Sequence, residues 1–196
     1  MRVEILERKL CHDGFFQLER FTLRHELFAG GMSPSLHREL FRRDHAVAAL
    51  LYDPQLDSVV LIEQFRIGAL ERDAGAWMLE TIAGIVEVDE TFEDVVRREA
   101  VEEAGCTAGE LIRLYDFYPA PGGSSERITL YLARTDASGA GGIHGLDHEG
   151  EDIKVHVLTL EEALTAIQSG QVDSSYTIMA LQWLAMNQDS IQQRWR

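Results

Sequence analysis

The stretch GIVEVDETFEDVVRREAVEEAGC, Gly84 to Cys106, decides how the rest of the chain is read. From Thr91 to Ala104 the pattern is helical, and Gly105 stands where a C-terminal cap belongs. At about 3.6 residues per turn, Phe92, Val95 and Val96 share one face and point toward a core. The same stripe continued reaches Glu99 and Glu103 where leucines are expected. Glu102 lies beside them, so three carboxylates cluster within about one turn. Like charges this close raise each other's pKa values unless something positive sits among them. A hard cation with oxygen ligands, Mg²⁺ or Mn²⁺, is the natural partner, and Arg98 is placed to orient a carboxylate by a bidentate contact. The plain alternative is a solvated acidic helix end. Acid-rich helices are common, and the glutamates alone favour that alternative.

The full spacing reverses the balance. Gly84, five residues, Glu90, seven residues, Arg98-Glu99, then Ala100, Val101, Glu102-Glu103, Ala104, Gly105 and Cys106 fit G-x5-E-x7-R-E-U-x-E-E-x-G-U with every fixed position filled. The two U positions, usually bulky aliphatics, hold Ala100 and Cys106, a departure in packing rather than chemistry. A chance match in a chain of this length is on the order of one in 10⁵. The pattern is the Nudix box, and the chain resembles the Nudix hydrolases.

That resemblance implies a Nudix α/β/α sandwich with a mixed sheet, in which the box forms a loop–helix–loop and binds divalent metal on a pyrophosphate. Glu99 and Glu103 match the ligating positions and Glu102 a supporting one. Ala83, just before the box glycine, matches a position whose carbonyl completes the metal shell. Gly84, Glu90, Arg98 and Gly105 match structural positions. Beyond the box, from about Phe15 onward, the chain is similar to the bacterial ADP-ribose pyrophosphatase branch. Glu63-Gln64-Phe65-Arg66 followed by Trp77-Met78-Leu79-Glu80 resembles the segment before the box there, and Pro121 falls about fifteen residues beyond the box, where the branch has proline. Gly145 to Ile153 looks like that branch's acidic loop, with Glu149 matching the general base and Glu151 a further metal ligand or supporting acid. Arg38, Glu39 and Arg66 match substrate contacts, and Phe15 and Phe16 are candidates to stack on adenine from a partner subunit. The branch implies a homodimer, with Mg²⁺ as cofactor and ADP-ribose as substrate.

Outward from the box, Ala46–Leu51 and Val59–Ile62 are short apolar runs separated by Asp53-Pro54, which read as two buried strands joined by a turn. Further strands are expected near Trp77–Thr81, Leu111–Tyr118, Ile128–Ala133 and Ile153–Leu158, and helices near Leu160–Gln168 and Ser175–Asn187. Phe15–Leu27 favours a strand or hairpin, followed by a turn over Gly30–Ser35. Ser138–Glu151 reads as a glycine-rich acidic loop. Mixed strands and helices in this order indicate α+β or α/β architecture. The resemblance implies that an N-terminal antiparallel β region over residues 1–43, serving dimerisation and substrate cover, precedes a main domain over 44–196.

Across the whole chain, a formal charge of −15 disfavours nonspecific nucleic-acid binding, which needs a basic surface. It leaves room for a small anionic ligand assisted by cations or placed arginines. No run approaches the roughly 20 apolar residues of a membrane span, and the N-terminus fits no signal peptide. Cys11 and Cys106 read as cytosolic thiols, so a cytoplasmic location is expected. His144 and His148 flank Gly145 in a loop and do not suggest zinc. Gly122-Gly123-Ser124-Ser125 lacks the lysine of a P-loop and reads as a turn or substrate-side loop. Within the resemblance, a GDP-mannose or other nucleotide hydrolase, and a non-catalytic ADP-ribose sensor, stay open. So does an acidic domain that merely binds Mg²⁺ or Ca²⁺.

Overall fold

A computed structural model describes residues 1–195, which form two compact units, Met1–His45 with Phe117–Arg127, and Ala46–Asp116 with residues 128–195. The first is a three-stranded antiparallel sheet in the order β1 (Val3–Asp13), β2 (Gln17–His25), β3 (Leu36–Arg42). β1 and β2 form a hairpin running from Val3↔His25 to Asp13↔Gln17. Glu19, nearly buried on β2, accepts hydrogen bonds from Arg8 on β1 and from Arg42 on β3. Those two guanidiniums hold its carboxyl below the usual carboxylate range and clamp all three strands. Residues 122–125 close onto the end of β3 as a turn: Phe41 N–H donates to Gly123 O, and Ser125 N–H donates to Phe41 O.

The sequence places the first strand near Phe15, whereas the hairpin begins at Val3. β1 is exposed along almost its whole length, so neither side carries the one-faced apolar alternation by which a strand is recognised. β3, similarly open, has no bounds in the sequence reading for the same reason, although the antiparallel β region expected over residues 1–43 contains it.

The second unit holds an eight-stranded sheet whose main path is β10 (Gly142–His144), β11 (Ile153–Thr159), β5 (Ser58–Phe65), β4 (His45–Asp53), β9 (Arg127–Arg134), β8 (Leu111–Phe117). Two short strands complete it, β6 (Trp77–Glu80) beside β5 and β7 (Ile82–Ile85) beside β4. β7 escapes the sequence reading because four residues including Ala83 and Gly84 carry no periodicity. Side chains alternate across a strand. On β4, Val47, Ala49 and Leu51 join one core with Val60 and Ile62 of β5, Tyr131 and Ala133 of β9, and Val95, Val96 and Ala100 of the helix α1 (Phe92–Glu102). The opposite side presents Tyr52, whose ring lies against Trp195 and whose hydroxyl accepts a bond from Gln192. Both residues belong to α3 (Ser175–Trp195), against which α2 (Leu160–Gln168) packs. Burial of both faces gives β4 its unbroken apolar run and makes this unit an α/β/α sandwich.

α3 runs eight residues past Asn187, the end expected from sequence. The segment Gln188–Arg194 is polar, but Ile191 and Trp195 extend the buried row begun by Leu184. Among the described residues, no helix is long and apolar enough to cross a membrane. Trp195→Ala should lower unfolding free energy in urea by about 3–5 kcal/mol, the usual loss for emptying a large aromatic site. A loss below about 1 kcal/mol would mean the end of α3 is undocked.

Candidate functional site

α1 starts at Thr91, whose hydroxyl accepts the Asp94 N–H while the Asp94 carboxylate accepts the Thr91 N–H, a closed capping box. Two rows of side chains four residues apart then run along the helix. Phe92, Val96, Ala100 and Ala104 stay apolar; Val95, Glu99 and Glu103 change from apolar to acidic. The core stripe therefore divides: the row through the buried Val95 turns acidic, as the sequence suggested, while the row through Val96 does not. That second row continues in two fully buried alanines, with the acids on the adjoining row. The small side chains let α1 lie close to β7, which explains the small residue at the first U position.

Glu103 is 2% exposed and accepts bonds from the Ala83 N–H (2.8 Å) and the Gln64 amide (3.2 Å). Burial pushes its pKa up to about 8; the Ala83 N–H opposes the rise, the Glu99 charge adds to it, and Arg66 and Glu151 make smaller contributions of opposite sign. Glu99 is raised to about 7, again mainly by burial, against the pull of Arg98 and with repulsion from Glu102 and Glu151. A Cβ on Gly84 would overlap the Glu99 carboxylate, so the box glycine is the space that carboxylate occupies.

Arg98 is the hub. Its guanidinium donates to Glu90 (2.9 and 3.2 Å), Glu99 (2.6 Å), Glu102 (3.0 Å) and the Ile85 carbonyl (3.4 Å). The bond to Glu90 contributes most to holding Arg98 charged. Glu90 also accepts the Glu87 N–H, so it ties the loop after Gly84 back to the helix.

Past the helix, Gly105 adopts φ +62°, a left-handed conformation that suits glycine, and its open side is filled by the His144 ring. The next loop is tethered to the same helix end by the Gly145 N–H, which donates to the Glu102 carbonyl (3.0 Å). Glu151 folds back on that loop, with its carboxylate accepting the Leu146 N–H (3.0 Å), and its charge reaches both Glu99 and Glu103. Ala83, Glu99, Glu102, Glu103 and Glu151 thus gather around α1. Glu149 does not join them: it stands exposed on the short turn Asp147–Glu149, 3.6 Å from His148.

Among the described residues, no three His, Cys, Asp or Glu side chains are already spaced as a finished metal cage. Arg98 engages Glu99 and Glu102, while backbone N–H groups engage Glu103 and Glu151. The donors nonetheless fit a hard divalent cation: hard oxygen ligands, two of them held out of water and pushed toward protonation for want of positive charge. Arg66 gives its Nε–H to Glu80 (2.7 Å), and the other Glu80 oxygen accepts the Tyr176 hydroxyl (2.7 Å). Sequence reasoning did not single out Glu80, Tyr176 or Gln64 as site residues; each is polar and sits within or beside an otherwise apolar element.

The remaining candidates belong to the first unit. Phe15, 88% exposed, meets Phe16 edge-on at 4.6 Å between centroids. Phe16 touches Phe41 and carries the Arg43 guanidinium 4.3 Å above its ring. On β3, Glu39 pairs with Arg20 and Arg38 donates to the His37 carbonyl.

A family model for the NUDIX domain matches residues 42–180. The ADP-ribose pyrophosphatase of Escherichia coli (strain K12) is 44% identical over 193 residues, covering 98% of this chain and 92% of its own length. Its Haemophilus influenzae counterpart is 44% identical over 197 residues, covering 99% and 91%. The GDP-mannose pyrophosphatase of Enterobacter sp. (strain 638) is 33% identical, covering 95% and 97%. A solved structure described as an ADP compounds hydrolase superposes with a TM-score of 0.72 at 19% identity, covering 95% of this chain and 96% of that one, a likeness of fold.

The raised carboxyls give a signed expectation for stability. Between their ordinary 4.5 and about 7 to 8, the folded chain holds protons on Glu99 and Glu103 that the unfolded chain has released. Their contribution is complete below about pH 4.5 and lost as pH rises through about 7 and 8. In EDTA, the thermal midpoint should fall between pH 6 and pH 8.5, and saturating Mg²⁺ should raise it more at the higher pH. A Mg²⁺ effect equal at both values would show that these acids are not the cation's ligands.

Proposed function

The chain belongs to the NUDIX family as a pyrophosphatase, and from that membership we propose that it hydrolyses ADP-ribose to AMP and ribose 5-phosphate with Mg²⁺ as cofactor. The observation that carries this reading is the Glu99–Glu103 pair, two carboxylates set four residues apart, held out of water and pushed up in pKa. Water exclusion makes electrostatic stabilisation strong, so such a pair suits chemistry on a diphosphate.

Glu99 and Glu103 hold the cation in this reading, with Glu151, Glu102 and the Ala83 carbonyl in support. Mg²⁺, or Mn²⁺ in its place, supplies Lewis-acid neutralisation of the diphosphate. Arg66 contacts a phosphate oxygen and Glu149 accepts the proton of the attacking water, its exposed turn leaving it free to approach. Arg98 and Glu90 keep the carboxylates oriented. Attack at phosphorus breaks one P–O bond of the anhydride; the leaving phosphate takes the electron pair, and the water's second proton stays on the new phosphate.

Arg38, Glu39 and the rings of Phe15 and Phe16 bind the adenosine part in a homodimer, each chain covering its partner's site. Support comes from β1, where Val3, Ile5, Leu6 and Leu10 are all at least 45% exposed, apolar side chains suited to cover by a second copy. Sedimentation should give twice the mass of one chain; a monomer at micromolar concentration would overturn the dimer. The free thiols Cys11 and Cys106 suit a cytoplasmic setting.

GDP-mannose is the second reading, favoured by the relatives that are 33% identical. Incubation with each nucleotide and Mg²⁺ separates them: AMP from ADP-ribose is expected, and a higher kcat/KM for GMP release from GDP-mannose would overturn the assignment. Binding without turnover would indicate a sensor. Glu103→Gln should lower kcat by about 10²-fold or more with the fold intact. Glu149→Gln should lower kcat with KM nearly unchanged; loss of ADP-ribose binding would make Glu149 a ligand rather than the base.

A further inference from the structure

Glu80 ends β6 and is 3% exposed, yet no cation is proposed for it and no part of the reaction above uses it. Each of its oxygens is engaged once. Oε2 accepts the Arg66 Nε–H at 2.7 Å, and Oε1 accepts the hydroxyl of Tyr176, the second residue of α3, at 2.7 Å. Burial, the largest influence, and the Glu80 charge raise the Tyr176 pKa, which keeps the hydroxyl a donor.

An unrestrained carboxylate beside a guanidinium takes a two-bonded, fork-to-fork arrangement that uses two nitrogens. Here Tyr176 holds the second oxygen elsewhere, and the bond of the Arg66 side chain among the described residues runs through Nε alone. Both terminal nitrogens are left over, on a side chain 38% exposed whose charge reaches Glu103.

We propose that Tyr176 and Glu80 are positioning residues that hold Arg66 by a single nitrogen, so that its two terminal nitrogens are presented together to a phosphate oxygen pair of the substrate. This rests on the substrate role given to Arg66 above. Without the Tyr176 hydroxyl, Glu80 turns onto the guanidinium fork and withdraws one terminal nitrogen from the substrate.

The test is a double-mutant cycle of Tyr176→Phe and Arg66→Ala, with kcat and KM for ADP-ribose measured on the Mg²⁺-loaded protein. Tyr176→Phe should raise KM by about tenfold while kcat changes less than about twofold, the signature of a lost binding contact. In the Arg66→Ala background it should add nothing. Additive effects, or an unchanged KM for Tyr176→Phe beside a raised KM for Arg66→Ala, overturn the positioning role alone. A wild-type KM for Arg66→Ala overturns both the positioning role and the substrate role of Arg66. Should Tyr176→Phe not fold, the isosteric Glu80→Gln, which keeps an oxygen for Tyr176 but loses the charged grip on Arg66, replaces it with the same expected rise.

Discussion

Two carboxylates one helical turn apart, Glu103 buried and Glu99 half-buried between a helix and a sheet, with a single guanidinium bonded to one of them, set the terms for everything around them. At an effective dielectric near 20, two unit charges about 6 Å apart repel by roughly 3 kcal/mol, and desolvation adds to that. Arg98 offsets part of the repulsion at Glu99, while the backbone N–H of Ala83 and the Gln64 amide do so at Glu103. What remains appears as proton affinity: both groups move toward the neutral form in the absence of a cation. A helix chosen for stability would carry leucines here. Under the proposed function, a cation and an anionic ligand resolve this frustration.

The neighbouring residues follow from that commitment. Gly84 is small because the Glu99 carboxylate fills the volume of its missing side chain. Ala100 and Ala104 are small because α1 must sit low on β7 for Glu103 to meet the Ala83 N–H. Gly105 turns the chain and leaves room for His144, and one residue beyond that histidine the Gly145 N–H fastens the acidic loop to the end of α1. A long surface loop is ordinarily loose. This one is fixed to the helix whose acids it serves, which brings Glu151 into their field while leaving Glu149 on an open turn.

Most of this local geometry was legible in the sequence, because the box encodes backbone requirements as well as chemistry: a glycine for close approach, a glycine for φ, acids at helical spacing. The strands β4, β5 and β9 were legible too, since burial on both faces writes itself as an apolar run. The antiparallel character of residues 1–43 was legible as well, but the bounds of β1 and β3 were not, because strands exposed on both sides impose no alternation. Nor was the link between Glu80 and Tyr176, which lie 96 residues apart and meet only once α3 has packed against the sheet. Gly122 to Ser125 likewise joins the N-terminal unit through bonds to Phe41 that no local signal announces.

The chain's charge of −15 then acquires a mechanism under the proposed function. Arg98 is consumed by three glutamates, and Arg66 has one nitrogen on Glu80, so the acid cluster without metal repels a diphosphate rather than attracting one. Cation and substrate must therefore help each other in, and by linkage each raises the other's affinity by the same factor. That coupling recognises a diphosphate and is indifferent to what hangs from it, which suits a chain similar both to relatives named for ADP-ribose and to relatives named for GDP-mannose. Aromatic faces stack on any base, so in that reading Phe15 and Phe16 would supply affinity with little choice. Choice of base falls to groups that hydrogen-bond its edge, since a buried donor or acceptor left unpaired by the wrong base costs more than any change in stacking returns.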